Sequence, residues 1–401
     1  MLNLTRLWAG MSTPGDNLRY GEASRGDGPP PQPQVHHRPV VVWNITRRCN
    51  LSCAHCYIAA VAHADPLELD TLTALRTVEE LADYRIPVLL LSGGEPMQRP
   101  DLLEIVSAAT RRGLRVGLST NGTLLTTEMA ERLKEAGVAY VGISIDGPEA
   151  VNDKFRGSHG AFRKALDGIR NAQAAGFRVS LRFTLTRYNH ADLGQVFDMV
   201  EEERIPRVCI YHLAYAGRGA RIGERADLSH EETRQAVDLC LERTDAFRQK
   251  GLDTEVLTVD NHTDAVYLAL RLLEDRACQA PAVLPLLLRN GGNASGIGIG
   301  CIGPRGDVHA DQFSHHRSFG NVRERSFASI WEDTSNPVME GLKGKPRPLE
   351  GRCASCPALA LCNGNLRVRA ESATGRMWAP DPACYLTDAE LEKVGEAFHA
   401  L

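Results

Sequence analysis

No run of about 18 apolar residues occurs in this 401-residue sequence, so a membrane span is not expected. Nor is there an excess of one charge: 46 Lys and Arg stand against 50 Asp and Glu, a formal net charge of −4. That balance argues against a nucleic-acid partner held by bulk electrostatics. The first ten residues, Met1 to Gly10, carry one arginine and too short an apolar stretch for a secretory signal. An evenly stitched cysteine pattern is also missing. The cysteines number eleven, an odd count, and seven of them fall into two tight groups, three near residue 50 and four between 353 and 384. A secreted disulfide scaffold is shorter and more regularly spaced, so the clustered cysteines read as metal ligands in a reducing cytoplasm. The scattered Cys209, Cys240 and Cys278 read as small buried hydrophobes or surface thiols. What remains is ordinary for a soluble globular protein, with 43% hydrophobic and 24% charged residues. The length suits one large domain and a smaller appendage.

Residues 1–39 are expected to form a flexible N-terminal arm, because Ser12 to Pro39 is rich in Gly, Pro and polar residues and includes Pro29-Pro30-Pro31. A solvated tail and a lid over a site are both open readings of it. From Val40 the chain alternates short apolar runs with amphipathic ones. Strands are expected around Val40–Ile45, Val88–Leu91, Arg115–Leu118, Tyr140–Ile143, Val179–Arg182 and Val208–Tyr211, with helical segments between them. Six strand–helix repeats predict an α/β fold with a parallel sheet, either an open (β/α)6 partial TIM barrel or a doubly wound sheet. Either places function at the C-terminal ends of the strands. The strand rhythm is read as stopping after His212. A domain of residues 40–285, barrel plus helical follow-on, is then expected to give way to a small C-terminal extension over 286–401.

The chemistry-bearing residues sit where such a fold would put them. Cys49-Asn-Leu-Ser-Cys53-Ala-His-Cys56 follows the first strand. Three thiolates in a C-x3-C-x2-C loop can bind three irons of a cubane and leave the fourth open to a chelating ligand. Zinc is the competing reading, with His55 completing the set, although structural zinc usually takes four ligands including a C-x2-C pair. Ser92-Gly93-Gly94-Glu95-Pro96 follows the second strand; its glycines allow close backbone approach and Glu95 can accept from an ammonium group. Ser119-Thr120-Asn121-Gly122 ends the third strand and Ser144-Ile-Asp146-Gly147 the fourth. Each taken alone is more often just a turn. Near the C-terminus, Cys353-x2-Cys356-x5-Cys362 and a later Cys384 suit a fully ligated [4Fe–4S] cluster or a zinc site.

In this order and spacing the first three motifs closely resemble the radical SAM superfamily. The resemblance implies a [4Fe–4S] cluster on Cys49, Cys53 and Cys56. It also implies S-adenosylmethionine (SAM) chelating the open iron, with Gly93, Gly94 and Glu95 at its amino end and Ser119, Asn121 and Ser144 along the rest. A 5′-deoxyadenosyl radical would then abstract hydrogen from substrate, with the electron coming from a donor such as ferredoxin or flavodoxin. The C-terminal cysteines resemble SPASM/twitch extensions, which implies a second [4Fe–4S] auxiliary cluster on Cys353, Cys356, Cys362 and Cys384. The SPASM pattern has a further cysteine near position 311, where this chain has Asp311, so one auxiliary cluster is expected; Cys301, ahead of that hairpin, is not expected to be a ligand.

Further stretches resemble the tetrapyrrole-modifying enzymes of alternative haem and haem d1 biosynthesis. They include Tyr211-His212-Leu213, Gly217-Arg218-Gly219, Asp260-Asn261-His262, Gly291-Gly292-Asn293 and Trp378-Ala-Pro-Asp-Pro-Ala-Cys384. The entry segment around Asp16 and Arg19-Tyr20-Gly21 favours the branch that removes two acetate side chains from didecarboxysiroheme to give iron-coproporphyrin III. The alternatives are the haem d1 branch, which replaces propionates by oxo groups, and a SPASM-type peptide maturase. Departures from the tetrapyrrole pattern occur at Cys362-Asn363-Gly364-Asn365 and at Ser314. A carboxylate-rich ligand of this kind wants arginines and an imidazole for its iron. Arg182 and Arg218 are expected as carboxylate forks, and His212 and His262 as substrate-side imidazoles. For each, an ordinary structural contact is the competing reading.

Overall fold

The structure is a computed structural model and describes residues 1–20 and 38–399. Its frame is one ten-stranded sheet in the order β1-β8-β7-β6-β5-β4-β3-β2-β9-β10. The strands are β1 Leu2–Asn3, β2 Val40–Asn44, β3 Leu89–Ser92, β4 Val116–Thr120, β5 Tyr140–Ser144 and β6 Arg178–Leu185. They continue as β7 Arg207–His212, β8 Glu255–Val259, β9 Ile299–Ile302 and β10 Val308–His309. From β2 to β8 each strand pairs in parallel with the next in the chain. A doubly wound sheet reverses its strand order at a switch point. Here the order never reverses, so the expected partial barrel is the fold and its doubly wound rival is excluded.

Strand periodicity then decides what faces where, because successive side chains point to opposite faces. Val41, Trp43, Leu89, Leu91, Val116, Leu118, Val141, Ile143, Val179, Leu181, Phe183, Val208 and Ile210 are buried in the main core against the helices. Their neighbours in sequence, Asn44, Ser92, Ser119, Ser144, Arg182 and Tyr211, therefore share the inner face. Register brings several of these side by side: Asn44 lies opposite Ser92, and Ser144 opposite Arg182. The polar strand ends thus form one wall.

Three expectations need correction. The first twenty residues are not a loose arm. Leu4 and Leu7 are fully buried, β1 pairs with β8, and Asn3, Thr13 and Arg19 all donate to Glu255 Oε1, at 3.2, 3.1 and 2.7 Å. Arg207 and Arg178 reach Oε2 of the same carboxylate at 2.5 and 3.2 Å. Burial opposes the charge on Glu255, but Arg19 and Arg207 outweigh it and hold its pKa below the ordinary glutamate value. The arm expected over 21–37 lies outside the described residues, as does any lid role for it. Secondly, the strand rhythm does not stop at His212: β8 adds a seventh parallel strand, all five residues buried. Thirdly, no domain boundary falls at residue 285, which lies inside the helix Ala280–Asn290. Strand β9 pairs directly with β2, and β10 folds back on β9, so the C-terminal extension continues the barrel sheet.

Candidate active site

The loop after β2 carries Cys49, Cys53 and Cys56, and backbone approach holds it in place. Gly94 N donates to Thr46 O and Glu95 N to Arg48 O, both at 2.8 Å. A Cβ at Gly93 would stand 2.4 Å from Thr46 O, and one at Gly94 would stand 2.2 Å from Arg48 O. Only glycine allows the loop after β3 to lie against the run into Cys49. On the other side, a Cβ at Gly217 would stand 2.3 Å from Tyr57 O. Arg218, expected as a carboxylate fork, instead donates to Cys53 O and Ala60 O, both at 2.7 Å. Its guanidinium is a staple across the loop; sequence spacing cannot show this, because its partners are backbone carbonyls about 160 residues away in the chain.

Donors surround the sulfurs. Leu51 N lies 3.4 Å from Cys49 Sγ, Ala60 N 3.4 Å from Cys56 Sγ, Asn121 Nδ2 3.8 Å from Cys49 Sγ, and Arg156 Nη1 3.6 Å from Cys53 Sγ. Burial raises the thiol of Cys49 to about 12 and that of Cys53 above its ordinary value, so a cationic iron is needed to make them thiolates. The three thiols line one cavity of about 190 Å³ and are ringed by N–H donors, a set that fits a cubane with one open corner. His55 stacks on Phe155 at 4.6 Å and faces Asp146 at 3.6 Å, so it does not complete a zinc set. Arg156 was missed by sequence reading. It is buried, its Nη2 lies 2.5 Å from Asp146, and it forms a charged backing to Cys53.

The same cavity is lined by Gly93, Gly94, Ser119, Asn121, Ser144, Arg182, His212 and Arg218. Glu95 departs from expectation. Its carboxylate is fully buried and occupied: Oε1 accepts from Met97 N at 3.1 Å, Oε2 from Asn121 N at 2.9 Å, and both accept from Thr120 Oγ1 at 2.9 Å. Burial lifts its pKa to about 7 despite these donors. It ties the ends of β3 and β4 together instead of reaching an ammonium group; the backbone of Gly93 and Gly94 faces the cavity. Arg182 lies across β5, where a Cβ on Gly142 would stand 2.4 Å from its Nε, and it donates to Ser119 Oγ. Its Nε is buried with no hydrogen-bond partner among the described residues.

His212 is 5% exposed and lies 2.9 Å from Asp264, whose other oxygen accepts from Tyr385 OH at 2.9 Å. It reaches the cavity with one edge committed to this chain. His262 does not line this cavity. Burial holds its imidazole neutral, and its backbone N–H donates to Asn365 Oδ1 at 2.7 Å. A Cβ at Gly292 would stand 2.3 Å from the Cys362 backbone, so the run after the helix Ala280–Asn290 packs on the second cysteine group.

Cys353, Cys356, Cys362 and Cys384 are brought together. Burial, then the like charges of neighbours including Cys356, Cys384 and Cys353, push the Cys362 thiol up to about 12. None of the four is in a disulfide and none lines the cavity of the first group, as suits a fully ligated cluster. Arg352 Nη1 lies 3.8 Å from Cys384 Sγ. Buried arginines fasten this segment to the barrel: Arg369 pairs with Asp381 at 3.0 Å and donates to Leu213 O and Asp260 O at 2.8 and 2.9 Å. Cys301, on β9, accepts from Asn44 Nδ2 at 3.4 Å.

A second cavity of about 740 Å³ adjoins the first. Tyr57 and Phe313 belong to both walls and meet edge to face at 5.5 Å. Its lining combines apolar surface from Ile58, Tyr215, Ala216 and Val368 with Arg47, Arg305, His309, His315 and His316. None of these three histidines was singled out from the sequence.

An open-cornered thiol loop at the mouth of a partial barrel, facing small polar strand ends, defines a class, and the comparisons agree. Residues 43–200 match the Radical SAM superfamily, and the chain belongs to that superfamily, whose chemistry rests on a [4Fe–4S] cluster and SAM. It is 51% identical to Fe-coproporphyrin III synthase of Methanosarcina barkeri, over 98% of this chain and 99% of that protein. It is 42% identical to pre-heme d1 synthase of Dinoroseobacter shibae, over 88% of this chain and 87% of that protein. Among solved structures, Streptococcus suis SuiB bound to S-adenosylmethionine superimposes with a TM-score of 0.67 at 17% identity, covering 87% of this chain and 78% of that one, a likeness of fold.

Proposed function

We propose that this chain is an Fe-coproporphyrin III synthase, removing two acetate side chains from didecarboxysiroheme to give iron-coproporphyrin III. Near full-length identity of 51% with the Methanosarcina barkeri enzyme carries the reading. The site supports it. Cys49, Cys53 and Cys56 hold the SAM-binding cluster, and the backbone of Gly93 and Gly94 with Ser119, Asn121 and Ser144 lines the SAM cavity. When bound, cluster and SAM supply one-electron cleavage to a 5′-deoxyadenosyl radical. This chain's residues position and exclude water. Arg182 offers a buried guanidinium to a carboxylate of SAM or substrate. Tyr57 and Phe313 separate the SAM cavity from the larger one, which takes the macrocycle. Cys353, Cys356, Cys362 and Cys384 hold the auxiliary [4Fe–4S] cluster, away from both cavities. Electrons arrive from a ferredoxin or flavodoxin in the cytoplasm, where reducing conditions keep the cysteines out of disulfides and leave seven of them to the clusters. No described helix is long and apolar enough to cross a membrane.

The test is anaerobic turnover of reconstituted protein with SAM, reductant and didecarboxysiroheme, followed by mass spectrometry. Loss of two acetate groups with matching 5′-deoxyadenosine is expected. Loss of propionate-derived mass would move the protein to the haem d1 branch. SAM cleavage with an untouched tetrapyrrole would overturn the substrate and return peptides to consideration.

A further inference from the structure

We infer that His309, through its Nε2, is the axial ligand that seats the iron of the substrate in the larger cavity. This rests on the tetrapyrrole reading above and adds the residue that reads the substrate's metal. His309 is on β10 and 4% exposed, and it lines the cavity of about 740 Å³. Its Nδ1 lies 2.7 Å from the carbonyl of Arg317. A carbonyl only accepts, so Nδ1 carries the hydrogen and Nε2 bears the lone pair. This is the arrangement metal-binding histidines show, with the second nitrogen fixed by a backbone acceptor.

The acceptor itself is anchored. Arg317 N donates to Ser314 O at 3.0 Å, and the Arg317 guanidinium pairs with Glu371 on the helix Arg367–Thr374. Gly303 packs beside the ring, where a Cβ would lie 3.0 Å from Nε2. A side chain at this position would crowd the nitrogen, and glycine leaves it uncrowded. Nε2 makes no hydrogen bond among the described residues. Burial favours the neutral ring, the form that binds iron.

The other imidazoles of the cavity sit differently. His316 Nε2 pairs with Glu371 at 2.8 Å. His315 Nε2 is buried without a hydrogen-bond partner among the described residues, and its ring is held between Tyr57, parallel at 6.0 Å, and His309, edge to face at 5.3 Å. Arg47 adds a cationic group at the rim: its Nε is buried without a partner, and its Nη2 donates to Ala59 O at 3.0 Å. A siroheme-derived macrocycle, with a central iron and peripheral carboxylates, matches this pairing of a Lewis base with a guanidinium.

The test uses reconstituted full-length protein titrated anaerobically with iron(III) coproporphyrin III and, separately, metal-free coproporphyrin III, read by absorption and electron paramagnetic resonance. Wild type should give an imidazole-ligated spectrum with the iron porphyrin. His309→Ala should lose that spectrum, regain it on addition of free imidazole, and still bind the metal-free macrocycle. Gly303→Ala, which keeps the imidazole and obstructs it, should lose the same signature and guards against a folding artefact. His315→Ala should retain it. An unchanged spectrum in His309→Ala, or its loss in His315→Ala alone, overturns the ligand assignment while leaving the substrate standing. No binding of either porphyrin to wild type overturns the substrate reading and this inference with it.

Discussion

The two cysteine groups of this chain face opposite demands, and their surroundings differ accordingly. The loop of Cys49, Cys53 and Cys56 opens onto a cavity, and what holds it is backbone: glycine contacts at Gly93, Gly94 and Gly217, and the Arg218 staple. The group of Cys353, Cys356, Cys362 and Cys384 lines neither of the two cavities above and is fastened by buried side chains, Arg369 on Asp381 and Arg347 on Asn293. A site that must bind and release a cofactor needs room in front of it, so its support comes from behind and from groups too small to intrude. A closed site is free to use large charged side chains as bolts. Three thiols against four is the visible sign of that difference.

The two cysteine groups should separate most clearly when their thiols are removed. Cys49→Ala, Cys53→Ala or Cys56→Ala should abolish 5′-deoxyadenosine formation, measured by chromatography. In each, iron and sulfide should fall to one cluster's worth. Cys353→Ala should lose the other cluster yet keep a SAM-responsive signal.

Next in size is the bolt. Arg369→Met strands Asp381 in the interior and should cost about 3–5 kcal/mol, the range for breaking a buried pair. Denaturant unfolding of the holoprotein would show it. The equivalent change at the open site, Arg218→Met, leaves two loop carbonyls short of donors at about 1–3 kcal/mol each. It should act chiefly on cluster retention, followed as iron loss to a chelator.

The smallest effect belongs to the N-terminal segment. Glu255 has its pKa depressed by Arg19 and Arg207 despite burial. Its contribution is therefore complete above the ordinary glutamate value of about 4.3 and is lost as pH falls through the lower native value. Glu255→Gln should flatten the acid limb of the stability profile, with limited proteolysis cutting first within residues 1–20.

Much of the open site was legible from sequence because its signals are local: three cysteines within eight residues, paired glycines, and small polar groups at strand ends. The strands β2 to β7 announced themselves through apolar runs. The failures share one cause, partners distant in the chain. β8 and β1 were hidden because Glu255 and Asn3, polar residues within strands, satisfy each other across 252 positions. Arg218 looked like an anion fork because no pattern shows that its acceptors are carbonyls. Glu95 stood beside the glycines that face the cavity, yet its carboxylate is consumed by Thr120 and Asn121. His309 was passed over because an imidazole's acceptor becomes visible only once the hairpin closes on Arg317.

One cysteine group should present an open iron to SAM and the other should not. The direct measurement is electron paramagnetic resonance of the reduced protein with and without SAM, in wild type and in a variant with Cys49, Cys53 and Cys56 all changed to Ala. The account predicts that SAM shifts only the signal missing from the triple variant. A SAM-induced shift in the signal that the triple variant retains would contradict it.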